Sequence, residues 1–391
     1  MTRKRKSVDK YRQDGVNIEE GDDFSAFAGS ICQGTYGFSP HVKVHDMSAG
    51  NFRGPRGYTY IKVPDGCVET KAADGPGTKV VLIDAAAKYR WAAWEVFAMT
   101  ASDISRWGGL PLVFASVLDT STLGEKGSPT NEAAREVIKG AGMAAEESKI
   151  VILTGETAEL GVCVGSENPE ATFKFNWAGV MSGLYHPKKM ILGQTLREGQ
   201  IIMALKEYGF RANGISSVRK ALKIKYGENW WANPDAKADI IACAERSVLY
   251  DRFLNFLNGW TEIPRIKPVI KMHLIVHLSG GAIESKLAGD ILFPRGFSAV
   301  IDNLFAPPEI MKKCALWRDL DEEECYRTWN GGQGMLAVIN EKDENLFLSW
   351  AEHFGHIAQR CGVICKESKP QVIIESKFGS GKTIVIEPEK K

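Results

Sequence analysis

Three stretches of the sequence place carboxylates beside glycines, a combination suited to holding a divalent cation against phosphates. The first is Asp74-Gly75-Pro76-Gly77-Thr78-Lys79, ahead of an apolar run. Its glycines allow close backbone approach, Thr78 and Lys79 suit phosphate oxygens, and Asp74 suits magnesium. A glycine turn with a surface lysine is the plain alternative. The second is Asp103, inside an otherwise apolar helix and followed by Gly108-Gly109. A carboxylate there is costly unless it is paired, binds metal or reaches solvent. The third is Thr154-Gly155-Glu156-Thr157-Ala158-Glu159, directly after a predicted strand. Ligands of open α/β sheets sit beyond the carboxyl ends of strands. Glu156 and Glu159 could there complete a site with Asp74 and Asp103, and hard oxygen donors point to magnesium. A first-turn helix carboxylate favoured by the dipole is the alternative for Glu159.

Further along, Phe210-Arg211-Ala212-Asn213-Gly214-Ile215-Ser216 leads into a basic helix whose N-terminus suits an anion. In His277-Leu278-Ser279-Gly280-Gly281-Ala282, glycines after a strand can turn N–H groups to a phosphate. Tyr326-Arg327-Thr328-Trp329-Asn330-Gly331-Gly332-Gln333-Gly334-Met335 packs glycines before another strand. Each of these alone is compatible with a simple turn. The string Gly379-Ser380-Gly381-Lys382-Thr383 lacks the earlier glycine of a P-loop, because Ser376 stands there, and no helix-length segment follows. A β-hairpin with a glycine turn is expected instead.

The elements that must position these residues follow from periodicity. Strands are predicted over residues 79–84, 112–118, 150–153, 173–184, 201–205, 273–278 and 334–339. Helices are predicted over 91–107, 131–147, 216–222, around 236–257 and over 344–361; Cys361 and Cys365, four apart, are expected to be packing residues on one helix face. Residues 372–374 and 383–386 form the terminal hairpin. The alternation points to an α/β fold with mixed sheets. The pattern breaks near residue 187, so three segments are expected: a flexible, Gly-rich 1–60, an N-terminal domain 61–187 and a C-terminal α/β domain 188–391.

The balance of 49 basic and 48 acidic residues gives no field of one sign, so nucleic acid and membrane surfaces are not expected partners. The eight cysteines include no C-x-x-C pair, which fits reduced thiols in the cytoplasm. Met1 to Lys6 is basic, but no apolar run follows it, and no run approaches the roughly 20 residues of a membrane span. A cytoplasmic protein without a leader is expected.

In this order the motifs resemble the phosphoribosylformylglycinamidine cyclo-ligase (aminoimidazole ribonucleotide synthetase) family. Its superfamily includes formylglycinamidine ribonucleotide synthetase, selenophosphate synthetase, thiamine monophosphate kinase and a hydrogenase maturation protein. Residues 11–18 look like Y-x-x-x-G-V-D-I, 74–79 like D-G-V-G-T-K, 98–103 like A-M-x-x-N-D and 155–159 like the end of G-G-E-T-A-E. Residues 213–220 look like the later part of H-S-N-G-Y-S-L-V-R-K, 277–281 like H-L-T-G-G-G and 326–335 like Y-R-T-F-N-x-G-x-G-M. Arg211 stands where the family has His, Ala212 and Ser102 where it has Ser and Asn, and Thr154 where it has Gly. The family's Gly-rich loop is not recognisable in residues 48–57.

The resemblance implies two α/β domains, a homodimer pairing through N-terminal sheets, and ATP with magnesium as cofactors. It implies closure of formylglycinamidine ribonucleotide to aminoimidazole ribonucleotide, with ATP activating the formyl-amide oxygen. Asp74, Asp103 and Glu156 would hold magnesium. Gly75, Gly77, Thr78, Lys79, Gly155, Glu156, Thr157, Gly280, Gly281 and Asn330 would meet the nucleotide. Asn213 and Gly214 would lie near the substrate, and Asp103, Lys79, Asn213 and Arg211 would serve catalysis. Arg211 would bring a fixed charge where a titratable group is usual. Another ATP-using superfamily reaction of the small-molecule kinase type, or a non-catalytic nucleotide-binding regulatory dimer, are the alternatives.

Overall fold

A computed structural model describes residues 18–49 and 54–388. The basic Met1 to Lys6, the motif residues 11–17 and residues 50–53 of the 48–57 stretch lie outside the described residues.

Helix α1 (Ile18–Gly34) precedes a two-stranded antiparallel sheet of β1 (Val42–Asp46) and β2 (Arg56–Tyr60). The described part of residues 1–60, expected to be flexible, is thus built of regular elements. Asp23 on α1 is held by Lys126 and Arg135, and Thr35 accepts the Ile152 N–H at 2.8 Å. Next come β3 (Val68–Asp74), α2 (Lys79–Ala85), α3 (Trp91–Ser105), β4 (Leu110–Thr120), α4 (Pro129–Ser148), β5 (Val151–Glu159) and β6 (Phe175–Tyr185). The four strands form one sheet in the order β3-β6-β4-β5, with β4 and β5 parallel. Ser128 caps α4 by accepting the Asn131 N–H, and Pro129 opens its first turn. Helix α3 is apolar nearly all round and is buried except at Trp91 and Asp103, as such a helix must be.

The second half holds β7 (Ile201–Lys206), α5 (Ile215–Tyr226), α6 (Lys237–Cys243), α7 (Asp251–Leu257), β8 (Leu274–His277), β9 (Ser298–Ile301), α8 (Glu309–Arg318), α9 (Glu322–Thr328), β10 (Gln333–Ile339), α10 (Glu344–His353), β11 (Ala358–Cys365), β12 (Val372–Glu375) and β13 (Thr383–Ile386). A π-helical segment, Ile283–Leu292, follows β8. The seven strands pair in the order β13-β12-β9-β11-β7-β10-β8. Strands β7 and β10 are unbroken apolar runs because helices cover both faces of the sheet there. The terminal hairpin forms as the Ser376 argument predicts, with β12 and β13 antiparallel.

Four predicted elements differ. The helix expected around 236–257 splits into α6 and α7, with residues 244–250 non-helical between them. Residues 79–84 form a helix rather than a strand; a four-residue apolar run carries no period that separates the two. Thr154-Gly155-Glu156-Thr157-Ala158-Glu159 continues β5 instead of leaving it, paired to β4 through Thr120. The predicted helix 344–361 stops at His353; Gly355 takes φ +77° and the chain returns as β11, so Cys361 and Cys365 lie on a strand. Among the described residues no helix is long and apolar enough to cross a membrane.

Candidate active site

Asp74 closes β3 and Asp103 rides the last turn of α3. Gly75 turns the chain directly after Asp74 and donates its N–H to Oδ1 at 2.7 Å. Only glycine fits there, since a Cβ would strike the Trp177 carbonyl oxygen. Burial pushes the Asp74 carboxyl up, the Gly75 N–H works against it, and the negative charge of Asp103 adds to the rise. Two carboxylates close enough to feel each other, with an edge open to solvent, form a place where a cation relieves repulsion.

Asp103 faces three donors. Burial works against its charge, but His277, Arg106 and Lys286 together hold its carboxyl below the usual range. His277 Nδ1 stands 4.0 Å and Arg106 Nε 3.9 Å from Asp103 Oδ1. On its other side, His277 Nε2 accepts from Arg211 Nη2 at 3.1 Å. An arginine only donates, so Nε2 is the bare nitrogen and Nδ1 carries the hydrogen. Burial and the arginine charge push the imidazole down to about 4, so it stays neutral.

Arg211 itself is fully buried, with φ +54°. Its Nη1 donates to Glu207 at 2.8 Å and to the Val248 carbonyl at 3.2 Å. The Tyr250 hydroxyl, which donates to the Lys206 carbonyl at 2.6 Å, also lies 3.3 Å from Glu207. The expectation that Arg211 offers its charge to the site is therefore corrected: Glu207 neutralises the guanidinium inside the protein, and the contact it makes toward the site is with His277.

Lys79 is corrected likewise. Its ammonium is fully buried, bound to Glu95 at 2.8 Å and to the Glu245 carbonyl at 2.7 Å. Glu95 also takes the Ser247 N–H at 2.8 Å and the hydroxyl at 2.7 Å. Lys79 therefore clasps α3 to the segment before α7 and is sealed inside the protein, out of a phosphate's reach. Asn330 is spent as well: its amide donates to Gly209 and accepts from Gly332, at 2.9 and 2.8 Å. It shapes the glycine turn before β10.

Glu156 does not join the two aspartates. Cα partners run in one row from Asp74 to Gly179, Ser116 and Gly155. Three strand spacings of about 4.8 Å put Glu156 about 14 Å from Asp74 at the opposite edge of the sheet. Among the described residues no group of three His, Cys, Asp or Glu side chains gathers at metal-binding separation. Glu159 is occupied by the Leu123 N–H at 2.6 Å and the Thr122 hydroxyl at 3.1 Å.

Asn213 and the two-glycine turn do come together, with Asn213 Oδ1 3.7 Å from the place of a Gly280 Cβ. Asn213 Nδ2 also reaches Met99 Sδ on α3 at 3.7 Å. Gly214, at φ +67°, opens α5 where any side chain would collide with Trp329. Gly281, at φ +81°, turns the chain into the π-helical segment that carries Lys286. Sequence reasoning missed Glu207, Arg106 and Lys286; only an ordinary spacing of charges marks them in the chain.

Residues 59–181 match the family model described as AIR synthase related protein, N-terminal domain. Curated relatives include a phosphoribosylformylglycinamidine cyclo-ligase of Finegoldia magna, 25% identical over 94% of this chain and 99% of that protein. Another, from Clostridium kluyveri, is 27% identical over 92% of this chain and 98% of its own length. Among solved structures, hydrogenase maturation protein HypE in complex with ATP aligns over 84% of this chain and 87% of its own, with TM-score 0.53 and 15% identity. Thiamine monophosphate kinase from Aquifex aeolicus aligns over 80% and 88%, with TM-score 0.50 and 14% identity. These two share the fold. The chain thus carries an AIR synthase related N-terminal domain in its first half and is similar to phosphoribosylformylglycinamidine cyclo-ligases along nearly its whole length.

Proposed function

We propose that the chain is an ATP-dependent cyclo-ligase that closes formylglycinamidine ribonucleotide to aminoimidazole ribonucleotide, releasing ADP and phosphate, in the cytoplasmic synthesis of purines. One observation supports this reading: Asp74 and Asp103, from different elements, are near enough for their charges to interact, and Asp103 adjoins His277, which leads into the Gly280-Gly281 turn that Asn213 approaches. Two carboxylates fit magnesium, which keeps waters and phosphate oxygens as its other ligands. Bound there, the ion would supply charge neutralisation for the phosphates of ATP.

The residues then divide the work by position. Asp103 is kept ionised by His277, Arg106 and Lys286. Gly75, Gly77 and Thr78 line the turn after Asp74, where backbone can approach the nucleotide. The N-terminus of α5, opened by Asn213-Gly214, suits the ribonucleotide phosphate. His277 has no free lone pair in this arrangement, so it orients Asp103 and does not serve as a base. Strand β5 is a sheet edge with exposed Thr154, Gly155 and Glu156, which supports pairing of two chains through their N-terminal sheets. Gly155, Glu156 and Thr157 would meet a nucleotide from the second copy.

Phosphorylation of another small molecule is a second reading, favoured by the sealing of Arg211 where the cyclo-ligase motif has a titratable His. An assay with purified protein, ATP, magnesium and formylglycinamidine ribonucleotide tests both. Imidazole product matched by ADP supports the cyclo-ligase; nucleotide turnover that ignores this substrate supports the second reading. Nucleotide binding with no turnover of any kind would contradict both and leave a regulatory dimer.

A further inference from the structure

A cleft of about 720 Å³ opens elsewhere, and none of Asp74, Asp103, Asn213, His277, Gly280 or Gly281 lines it. It lies between the turn after α1, the end of α4, the start of β4, and α7 with the loop that follows. Leu110, on its wall, is six residues along β4 from Ser116 in the Asp74 row, about 20 Å by strand rise. Such a volume suits a small molecule of nucleotide size.

Three features of the lining define its chemistry. Lys149, Arg252 and Arg265 face one carboxylate, Glu262, so the wall is net positive. Arg252 lies over the Phe354 ring at 5.5 Å and Lys149 over Phe38 at 5.9 Å; among the described residues neither forms an ion pair. The half-buried rings of Phe38, Phe256 and Phe354 give an aromatic surface, with Phe256 and Phe354 tilted to each other by 47°. Asn255 on α7 is 5% exposed, and its Oδ1 has no hydrogen-bond partner. A buried acceptor without a donor is unfavourable, and a ligand N–H would satisfy it.

We propose that this cleft is a second ligand site, for an anionic metabolite with a planar aromatic ring and an exocyclic amino group, the chemistry of an aminopurine nucleotide. The phosphate meets Arg252 and Arg265, the ring lies against the phenylalanines, and the amino group donates to Asn255. This assignment is independent of the reaction at the aspartate site, because it rests on different residues.

The probes are AMP, IMP and inorganic phosphate, titrated calorimetrically into the full-length protein. AMP is expected to bind, IMP several-fold more weakly because it offers a carbonyl where AMP offers the amino group, and phosphate more weakly still. Arg252→Glu and Arg265→Glu, both at exposed positions, should each weaken AMP at least tenfold. Asn255→Leu should abolish the preference for AMP over IMP, and Asp74→Asn should leave AMP binding unchanged. No AMP binding at millimolar concentration, or binding that survives both charge reversals and disappears in Asp74→Asn, would overturn the proposal.

Discussion

Arg211 gives a hydrogen to Nε2 of His277 at 3.1 Å and so decides which face of the imidazole points its N–H at Asp103. Arg211, expected from the sequence to bring a fixed charge to the site, does not put a new charge there, because Glu207 neutralises it. It forms a buried link, Glu207 to Arg211 to His277 to Asp103, that helps to hold the aspartate ionised.

Breaking this link at the arginine leaves Glu207 buried without its partner. Arg211→Met should destabilise the protein by about 3–5 kcal/mol. Glu207→Gln combined with Arg211→Met should restore much of the loss, since no buried charge then remains. Urea denaturation of the single and double variants measures both; equal losses would show that Glu207 does not depend on Arg211.

The same reasoning applies to the clasp between Lys79 and Glu95, which is also fully buried. Lys79→Met should lower the denaturation midpoint by an amount equivalent to about 3–5 kcal/mol. A phosphate-binding lysine would behave otherwise, raising the KM for ATP with stability intact. Measuring the midpoint and the ATP dependence on one preparation separates the two.

The neutral His277 makes stability depend on pH. Its folded pKa, near 4, lies below the ordinary 6.5, so the unfolded chain takes the proton first on acidification. The stabilisation is complete above about 6.5 and is lost as pH falls toward 4. Burial shifts Asp251 the opposite way, up to about 6, and its contribution runs against that of His277 over part of this range. Comparison with His277→Asn isolates the histidine: the stability gap between wild type and variant should shrink by roughly 2 kcal/mol between pH 7.5 and pH 5. A constant gap would mean that His277 is not held neutral.

Much of this arrangement was legible in the chain. The hairpin around Ser376 follows from the missing P-loop glycine, and the nearness of Asp74 to Asp103 agrees with two of the three carboxylates expected to converge. Apolar runs of four residues, as in residues 79–84, lack the period that tells helix from strand. The fate of Glu156 depended on whether Thr154-Gly155 ended β5, and both residues are tolerated at an exposed sheet edge. Glu207, Arg211 and His277 are joined only by the folded chain, across 66 residues in the last step. No local pattern announces that Lys79 and Arg211, which look like surface cations, are the ones taken inside.

Manganese binding, followed by electron paramagnetic resonance with a non-hydrolysable ATP analogue present, tests the central claim most directly. Wild type should bind the ion, Asp74→Asn and Asp103→Asn should each weaken it at least tenfold, and Lys79→Met should bind it normally once folded. Tight binding in a variant carrying both aspartate substitutions would contradict the account, because the cation would then be held elsewhere.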